Sequence, residues 1–224
     1  MAVSTGRRPD MQIISVNLGR PERLEHGSHA GRTGIFKRPV PIPVAVGELG
    51  LEGDAVLNTK HHGGPDQAVY LYRDEDYAWW ADQLGHALAP GTFGENLTIR
   101  GYAEAGPAIG TRLAFDSVTL EVTAPRIPCA TLGARMGDAR FVKRFLEAER
   151  PGFYCRVVTT GRLAPGERFT AAPPPGEPVT TLELFRARQR RPGAAGIRRL
   201  LSAPLDERSR RKLTRALDEL ARRA

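Results

Sequence analysis

The sequence predicts a mainly-β fold: a closed or nearly closed, antiparallel β-barrel interrupted by two helices, followed by a small C-terminal three-helix module. Three observations predict it. Short strand-like runs punctuated by Gly and Pro recur through residues 11–171, and only two stretches there have helical periodicity. A Pro-rich segment, residues 172–179, separates this body from a tail of different composition. The charge divides at the same place. Residues 1–179 hold 20 Lys or Arg and 20 Asp or Glu, whereas residues 180–224 hold 13 and 5, so the net charge of +8 belongs to the last 45 residues.

The elements follow in order. MAVSTGRRPD is a lead-in, and MQIISVNLG gives a first strand that stops at Gly19. RTGIFKRPVPIPVAVGELGLEGD mixes short β pieces with prolines, which confine strands to edges or ends. AVYLY, Ala68–Tyr72, is a continuous apolar strand. DEDYAWWADQLG begins with acids in its first turn and stops at Gly85, the signature of a helix. ENLTIRG and TRLAFDSVTLEVTAPR are strands, the second alternating at Leu113 and Phe115 and then at Val118, Leu120 and Val122. DARFVKRFLEAERPG places Phe141, Phe145 and Leu146 on one helix face and stops at Pro151; FYCRVVTTG and ERFTAA close the body. In the tail, TTLELFRARQRRPG carries Thr180 and Glu183 at capping-box spacing. AAGIRRLLSAP groups Ile197, Leu200 and Leu201, and the last helix groups Leu213, Leu217 and Leu220. Helices this short need a partner surface, each other or the barrel.

Composition bounds the function. A hydrophobic content of 41% with 26% charged residues fits a soluble globular chain. No apolar run approaches the ~18 residues of a membrane span, and the amino terminus lacks the apolar segment of a secretory signal. Two cysteines 26 positions apart do not make a disulfide framework, so a reducing, cytoplasmic setting is expected.

Four short segments carry chemistry. In TAPRIPCATLGARMG, Cys129 follows a strand, with Arg126 three residues before it and a small-residue turn after it. A nearby cation favours the thiolate, a soft ligand for sulfur-bound metals; the alternative is an inert buried thiol, and Cys155 within FYCRVV has that character. In KHHGGPDQAVYLY, His61 and His62 are adjacent and on a strand would face opposite sides, so they do not share a metal. Gly63-Gly64-Pro65 makes a tight turn that lets backbone approach a ligand, or simply a turn. PGTFGENLTIRG adds a second Gly-rich turn with Glu95 and Asn96, and GIFKRPV supplies Lys37 and Arg38. No segment matches a phosphate-binding P-loop or a dinucleotide fingerprint.

In this order IFKRPV, GLEGD, HHGGPDQAVYLY, WW, PGTFGENLTI, IGTRLAF, APRIPCATL and GFYCRVVTTGRLAPGERF resemble a MOSC domain, the molybdenum cofactor sulfurase C-terminal domain, over roughly residues 11–171. The resemblance is narrowest to the stand-alone bacterial YiiM-like branch, which carries a helical tail of this kind. It implies a MOSC-type β-barrel that binds a molybdopterin-type molybdenum cofactor, with Cys129 as the protein ligand to the metal. Arg126 and Lys37 would serve the cofactor phosphate. The turns at Gly63-Gly64 and Gly94-Glu95-Asn96 would approach the pterin, His62 and Asn96 would contact pterin or substrate, and His62 or Glu95 would relay protons. The implied reaction reduces N-hydroxylated compounds, hydroxylaminopurine-type bases among them, from R–NHOH to R–NH₂ and water.

Two cysteines cannot supply a four-thiolate iron–sulfur cluster and no flavin fingerprint is present, so the electrons would come from an external reductase or carrier. The basic tail is its candidate dock. Two other classes stay open: a sulfur carrier with a persulfide on Cys129 in cofactor maturation, and a nucleic-acid-binding module using the Arg-rich helices. The neutral body and a tail whose one aromatic residue is Phe185 weigh against the last. No membrane partner is expected, and the oligomeric state is not specified.

Overall fold

The structure, a computed structural model, describes residues 10–26, 29–57, 63–102 and 106–223. Strand β1 (Gln12–Gly19) leads into a hairpin of β2 (Glu22–His26) and β3 (His29–Thr33), then β4 (Lys37–Val40), β5 (Val44–Gly47) and β6 (Gly50–Leu51). A single 3₁₀ turn, Pro65–Gln67, precedes β7 (Val69–Arg73) and helix α1 (Asp74–Leu84). Next come β8 (Leu97–Arg100), β9 (Arg112–Ala114) and β10 (Thr119–Pro125), helices α2 (Ala130–Arg135) and α3 (Phe141–Ala148), and strands β11 (Phe153–Thr159), β12 (Gly161–Leu163) and β13 (Thr170–Ala172). The tail folds as α4 (Thr181–Gln189), α5 (Ala194–Leu201) and α6 (Glu207–Ala221).

The main sheet has eight strands in the order β13-β9-β10-β11-β7-β8-β1-β4, and β12-β5-β6 form a smaller one. This corrects the closed, antiparallel barrel in two respects. First, β7 and β8 run parallel, because α1 crosses back between them and returns the chain to the same end of the sheet. Second, the ladder does not close among the described residues. The start of β1 meets the segment before β13 only through one isolated bridge, Gln12 to Arg168, and three backbone hydrogen bonds: Ile13 N–H to the Glu167 carbonyl at 2.9 Å, Gly166 N–H to the Ile13 carbonyl at 2.8 Å and Phe169 N–H to the Met11 carbonyl at 3.1 Å. The fold is therefore a curled, mixed sheet with six α-helices rather than a mainly-β barrel.

Strand β7 explains the curl. Val69 and Leu71 point into an aliphatic core with Ile13, Val16, Leu97, Leu120 and Phe153. Tyr70 and Tyr72 point the other way, into an aromatic core with Tyr77, Trp80, Phe93, Phe141 and Phe145. A strand covered on both faces reads as an unbroken apolar run, as AVYLY does.

Two elements carried little sequence signal. The β2–β3 hairpin is polar, with Leu24 buried and Arg23, Glu25 and Arg32 exposed. Helix α2 replaces the turn expected after Cys129; at six residues it is too short to show a period, and it is held by Leu132 in the aromatic core.

The tail docks on the body. Thr180 and Glu183 form the expected capping box: Thr180 N–H donates to Glu183 Oε2 at 2.7 Å and Glu183 N–H to Thr180 Oγ1 at 3.1 Å. Leu184, Leu200 and Leu205 pack with Ile109 of the body and Val179 of the Pro-rich stretch. Ile109 N–H donates to the Val179 carbonyl at 2.8 Å, which ties that stretch down. Among the described residues no helix is long and apolar enough to cross a membrane.

Candidate functional site

A cleft of about 270 Å³ opens between the β2–β3 hairpin, the loop at residues 54–57, the 3₁₀ turn and the segment that joins β10 to α2. Cys129 lines it, half-buried, in extended backbone (φ −129°, ψ 170°) at the N-terminal boundary of α2. Cys155 is fully buried on β11, and burial holds its thiol well above the ordinary value.

Arg126 lines the same wall at 4% exposure. Its Nη1 donates to the Phe93 carbonyl, and its guanidinium stands over the Tyr70 ring, 5.2 Å from the centroid. Its Nε is buried with no hydrogen-bond partner among the described residues. Burial opposes the charge, but the field of Tyr70, Tyr154 and Cys129 outweighs it and keeps the guanidinium protonated.

Lys37 also lines the cleft, but as half of a buried ion pair with Asp54. Asp54 Oδ2 accepts from Lys37 Nζ and from Asn96 Nδ2 at 2.9 Å; Asp54 Oδ1 accepts from Gly19 N–H at 2.8 Å. Burial pulls the Lys37 pKa below its usual value, and Asp54 partly offsets this. Asn96 Oδ1 accepts from Tyr70 N–H at 3.1 Å, so this amide is built into the wall.

Gly63 and Gly94 line the cleft with φ of +70° and +77°. A Cβ at Gly63 would lie 2.9 Å from Val56 Cγ1, and one at Gly94 would lie 3.1 Å from Ile35 Cγ1. Gly64 sits beside the cleft as the boundary of the 3₁₀ turn, without lining it.

The structure thus brings together Cys129, Arg126, Lys37, Asn96 and Gly63. It does not bring Glu95 to them. Glu95 is wholly buried behind the wall, its Oε1 accepting from Tyr77 Oη at 2.7 Å, Gly91 N–H at 2.7 Å and Thr98 Oγ1 at 2.8 Å. Burial raises its pKa, its Oε2 has no hydrogen-bond partner among the described residues, and the expected proton relay stands behind the cleft wall rather than on it. His62 lies outside the described residues.

Sequence reasoning missed Asp54, Gln67, Tyr154 and Arg32, all of which line the cleft. Asp54 ends the quoted GLEGD, yet its partner Lys37 is 17 residues away, a separation with no sequence signature. Arg32 is an exposed cation of the hairpin. With Lys37 and Arg126 it gives the lining, among the described residues, three cations against the single carboxylate of Asp54, a balance that favours an anionic ligand. Among the described residues no three His, Cys, Asp or Glu side chains cluster to hold a metal ion.

Comparison with known proteins gives one consistent answer. The MOSC domain profile matches residues 58–170. The chain is 38% identical over 154 residues to YflK of Bacillus subtilis (strain 168), covering 69% of this chain and 70% of that one. It is 31% identical over 155 residues to Protein YiiM of Escherichia coli (strain K12), covering 67% of each. A protein of Gibberella moniliformis named Reductase is 28% identical over 180 residues, 78% of this chain and 31% of that longer one. Among solved structures, YiiM from Geobacillus stearothermophilus superposes with a TM-score of 0.77 at 27% identity, over 92% of this chain and 99% of the other.

Proposed function

This chain belongs to the MOSC domain family, in its YiiM-like branch, and from that premise we propose that it is a molybdenum-cofactor-dependent reductase that converts N-hydroxylated compounds, hydroxylaminopurine-type bases among them, to the amine. The observation that carries this reading is the position of Cys129: a half-buried thiol on the wall of a cleft, beside a buried arginine.

The residues present fit the cofactor. Cys129 offers one soft sulfur donor where the protein has no other metal ligands clustered among the described residues, which suits a metal already held by a dithiolene. The Nε of Arg126, without a hydrogen-bond partner among the described residues, is a buried donor on the same cleft wall as that sulfur, and the exposed guanidinium of Arg32 matches a phosphate at the mouth. Bound there, the cofactor would supply the two-electron couple that splits the N–O bond: R–NHOH + 2e⁻ + 2H⁺ gives R–NH₂ + H₂O.

The chain's own residues have three tasks. Arg126 holds its charge against Cys129 and so favours the thiolate. Lys37 Nζ holds a proton on the cleft wall, with Asp54 to balance the charge and orient it, and takes the relay role in place of Glu95. The rings of Tyr70 and Tyr154, 4.9 Å apart between centroids, back the Arg126 guanidinium and shield it from bulk water.

Electrons are proposed to come from an acidic carrier that docks on the tail. Much of the tail's charge is engaged internally. Arg186 pairs with Glu149, Arg191 with Glu219, Arg199 with Glu183, and Arg210 donates to the Leu201 and Ala203 carbonyls. Arg211, Lys212 and Arg215 are exposed on α6 and form the proposed patch.

The test is the molybdenum-to-protein ratio after expression in a host that makes the cofactor. Near-stoichiometric metal and turnover of 6-hydroxylaminopurine are expected in the natural protein, both are lost in Cys129→Ser, and both are retained in Cys155→Ser. The same half-buried thiol supports a second reading, a persulfide carrier; a metal-free protein with an added sulfur on Cys129 would favour it.

A further inference from the structure

We propose that Gln67 reads an acceptor edge of the bound heterocycle with its side-chain N–H₂ group, and that Arg208 of the C-terminal module sets this polarity, so that the module is part of the cleft. The inference deepens the reading above, since it assumes that the cleft takes a pterin or a purine.

The 3₁₀ turn Pro65–Gln67 follows the two glycines at the cleft and ends in Gln67, which lines it. The start of α6 grips this turn at two successive residues. Glu207 N–H donates to Asp66 Oδ2 at 2.8 Å, and Arg208 Nη1 donates to Gln67 Oε1 at 2.7 Å. Arg156 of β11 holds Asp66 Oδ1 at 3.1 Å and donates to the Pro204 and Leu205 carbonyls just before α6. The turn is thus fixed between the body and the module.

An arginine only donates hydrogen bonds, so the group facing Arg208 is the amide oxygen of Gln67 and its N–H₂ faces away from it. That nitrogen has no hydrogen-bond partner among the described residues, and the residue lines the cleft. Asn96, the other amide on the wall, bonds Tyr70 N–H and Asp54 with its oxygen and nitrogen. Gln67 is therefore the side-chain amide poised for a ligand, and what it presents is a donor. Pterin and purine rings both carry matching acceptors, a ring nitrogen or a carbonyl oxygen.

The test is calorimetric titration of the full-length protein with two probes, 6-hydroxylaminopurine and free 6-hydroxymethylpterin. Gln67→Glu keeps and strengthens the Arg208 contact but replaces the donor by an acceptor. It is expected to weaken the recognised heterocycle by about three- to tenfold, the worth of one hydrogen bond, with unfolding temperature maintained. Arg208→Ala is expected to weaken the same probe, and Arg208→Lys to restore part of the loss. Weakening of the purine alone assigns Gln67 to the substrate; weakening of the pterin alone assigns it to the cofactor. Affinities in Gln67→Glu equal to those of the natural protein, or a natural protein that binds neither probe, would overturn the proposal. Lack of molybdenum in a protein that still discriminates this way would overturn the reductase reading alone.

Discussion

Lys37 and Asp54 form an ion pair in the cleft wall with side chains only 8% and 6% exposed. The pair makes the lysine of GIFKRPV a buried cation with a fixed partner. A phosphate at the mouth would meet the exposed Arg32, which has no ion-pair partner among the described residues, before it met Lys37, whose charge is already balanced.

Breaking that pair is expected to cost more than removing it. Asp54→Asn leaves the Lys37 ammonium buried without a counter-charge, a loss of about 3–5 kcal/mol. The double variant Lys37→Met with Asp54→Asn is expected to recover most of it. Urea unfolding of the three proteins measures both numbers; equal stability of the single and double variants would refute the coupling.

Glu95 gives a pH signature. Its folded-state pKa is raised above the ordinary carboxyl value of 4.5, with burial the first cause. Between 4.5 and that raised value the folded state binds more protons than the unfolded one, so the Glu95 contribution is fully present at lower pH and is lost as pH rises through the folded pKa. Glu95→Gln is expected to abolish this loss, so its stability relative to the natural protein improves from pH 4.5 toward neutrality. Denaturant midpoints across that range show it as a converging or crossing pair of curves.

Gly94 has φ +77° and close neighbours at Ile35 and Arg126. Gly94→Ala is expected to cost about 1–2 kcal/mol from the left-handed backbone alone. It should also press on Ile35 of the cleft wall, whose Cγ1 would lie 3.1 Å from the new Cβ, and lower molybdenum content, whereas Gly47→Ala, which meets open space at ordinary φ, should leave metal content unchanged. Metal analysis on both variants checks the contrast.

Reversing Arg211, Lys212 and Arg215 to Glu is expected to slow electron delivery from an acidic carrier at low salt by tenfold or more and to flatten its salt dependence. Arg210 is left out because it closes the turn before α6 through two carbonyls. Unchanged rates at both salt levels would remove the tail from electron transfer.

Where a residue's role depended on neighbours in sequence, the sequence was enough. The capping box at Thr180, the acids that open α1, the two-sided burial of AVYLY and the charge boundary at residue 180 are all local patterns, set by side-chain period and by orphaned backbone donors at helix starts. The order of motifs likewise made the family legible, and it pointed to Cys129 and Arg126. The open, mixed sheet was not legible, because the direction of β8 depends on how α1 crosses between two strands rather than on the strands' own residues. Nor were the partners of Lys37, Glu95 and Gln67, which lie 17, 18 and 141 residues away for Asp54, Tyr77 and Arg208. The sequence determined which side chains are candidates for chemistry; only the tertiary structure decided which of them face the cleft and which are sealed behind it, because burial and charge pairing are properties of distant segments brought into contact.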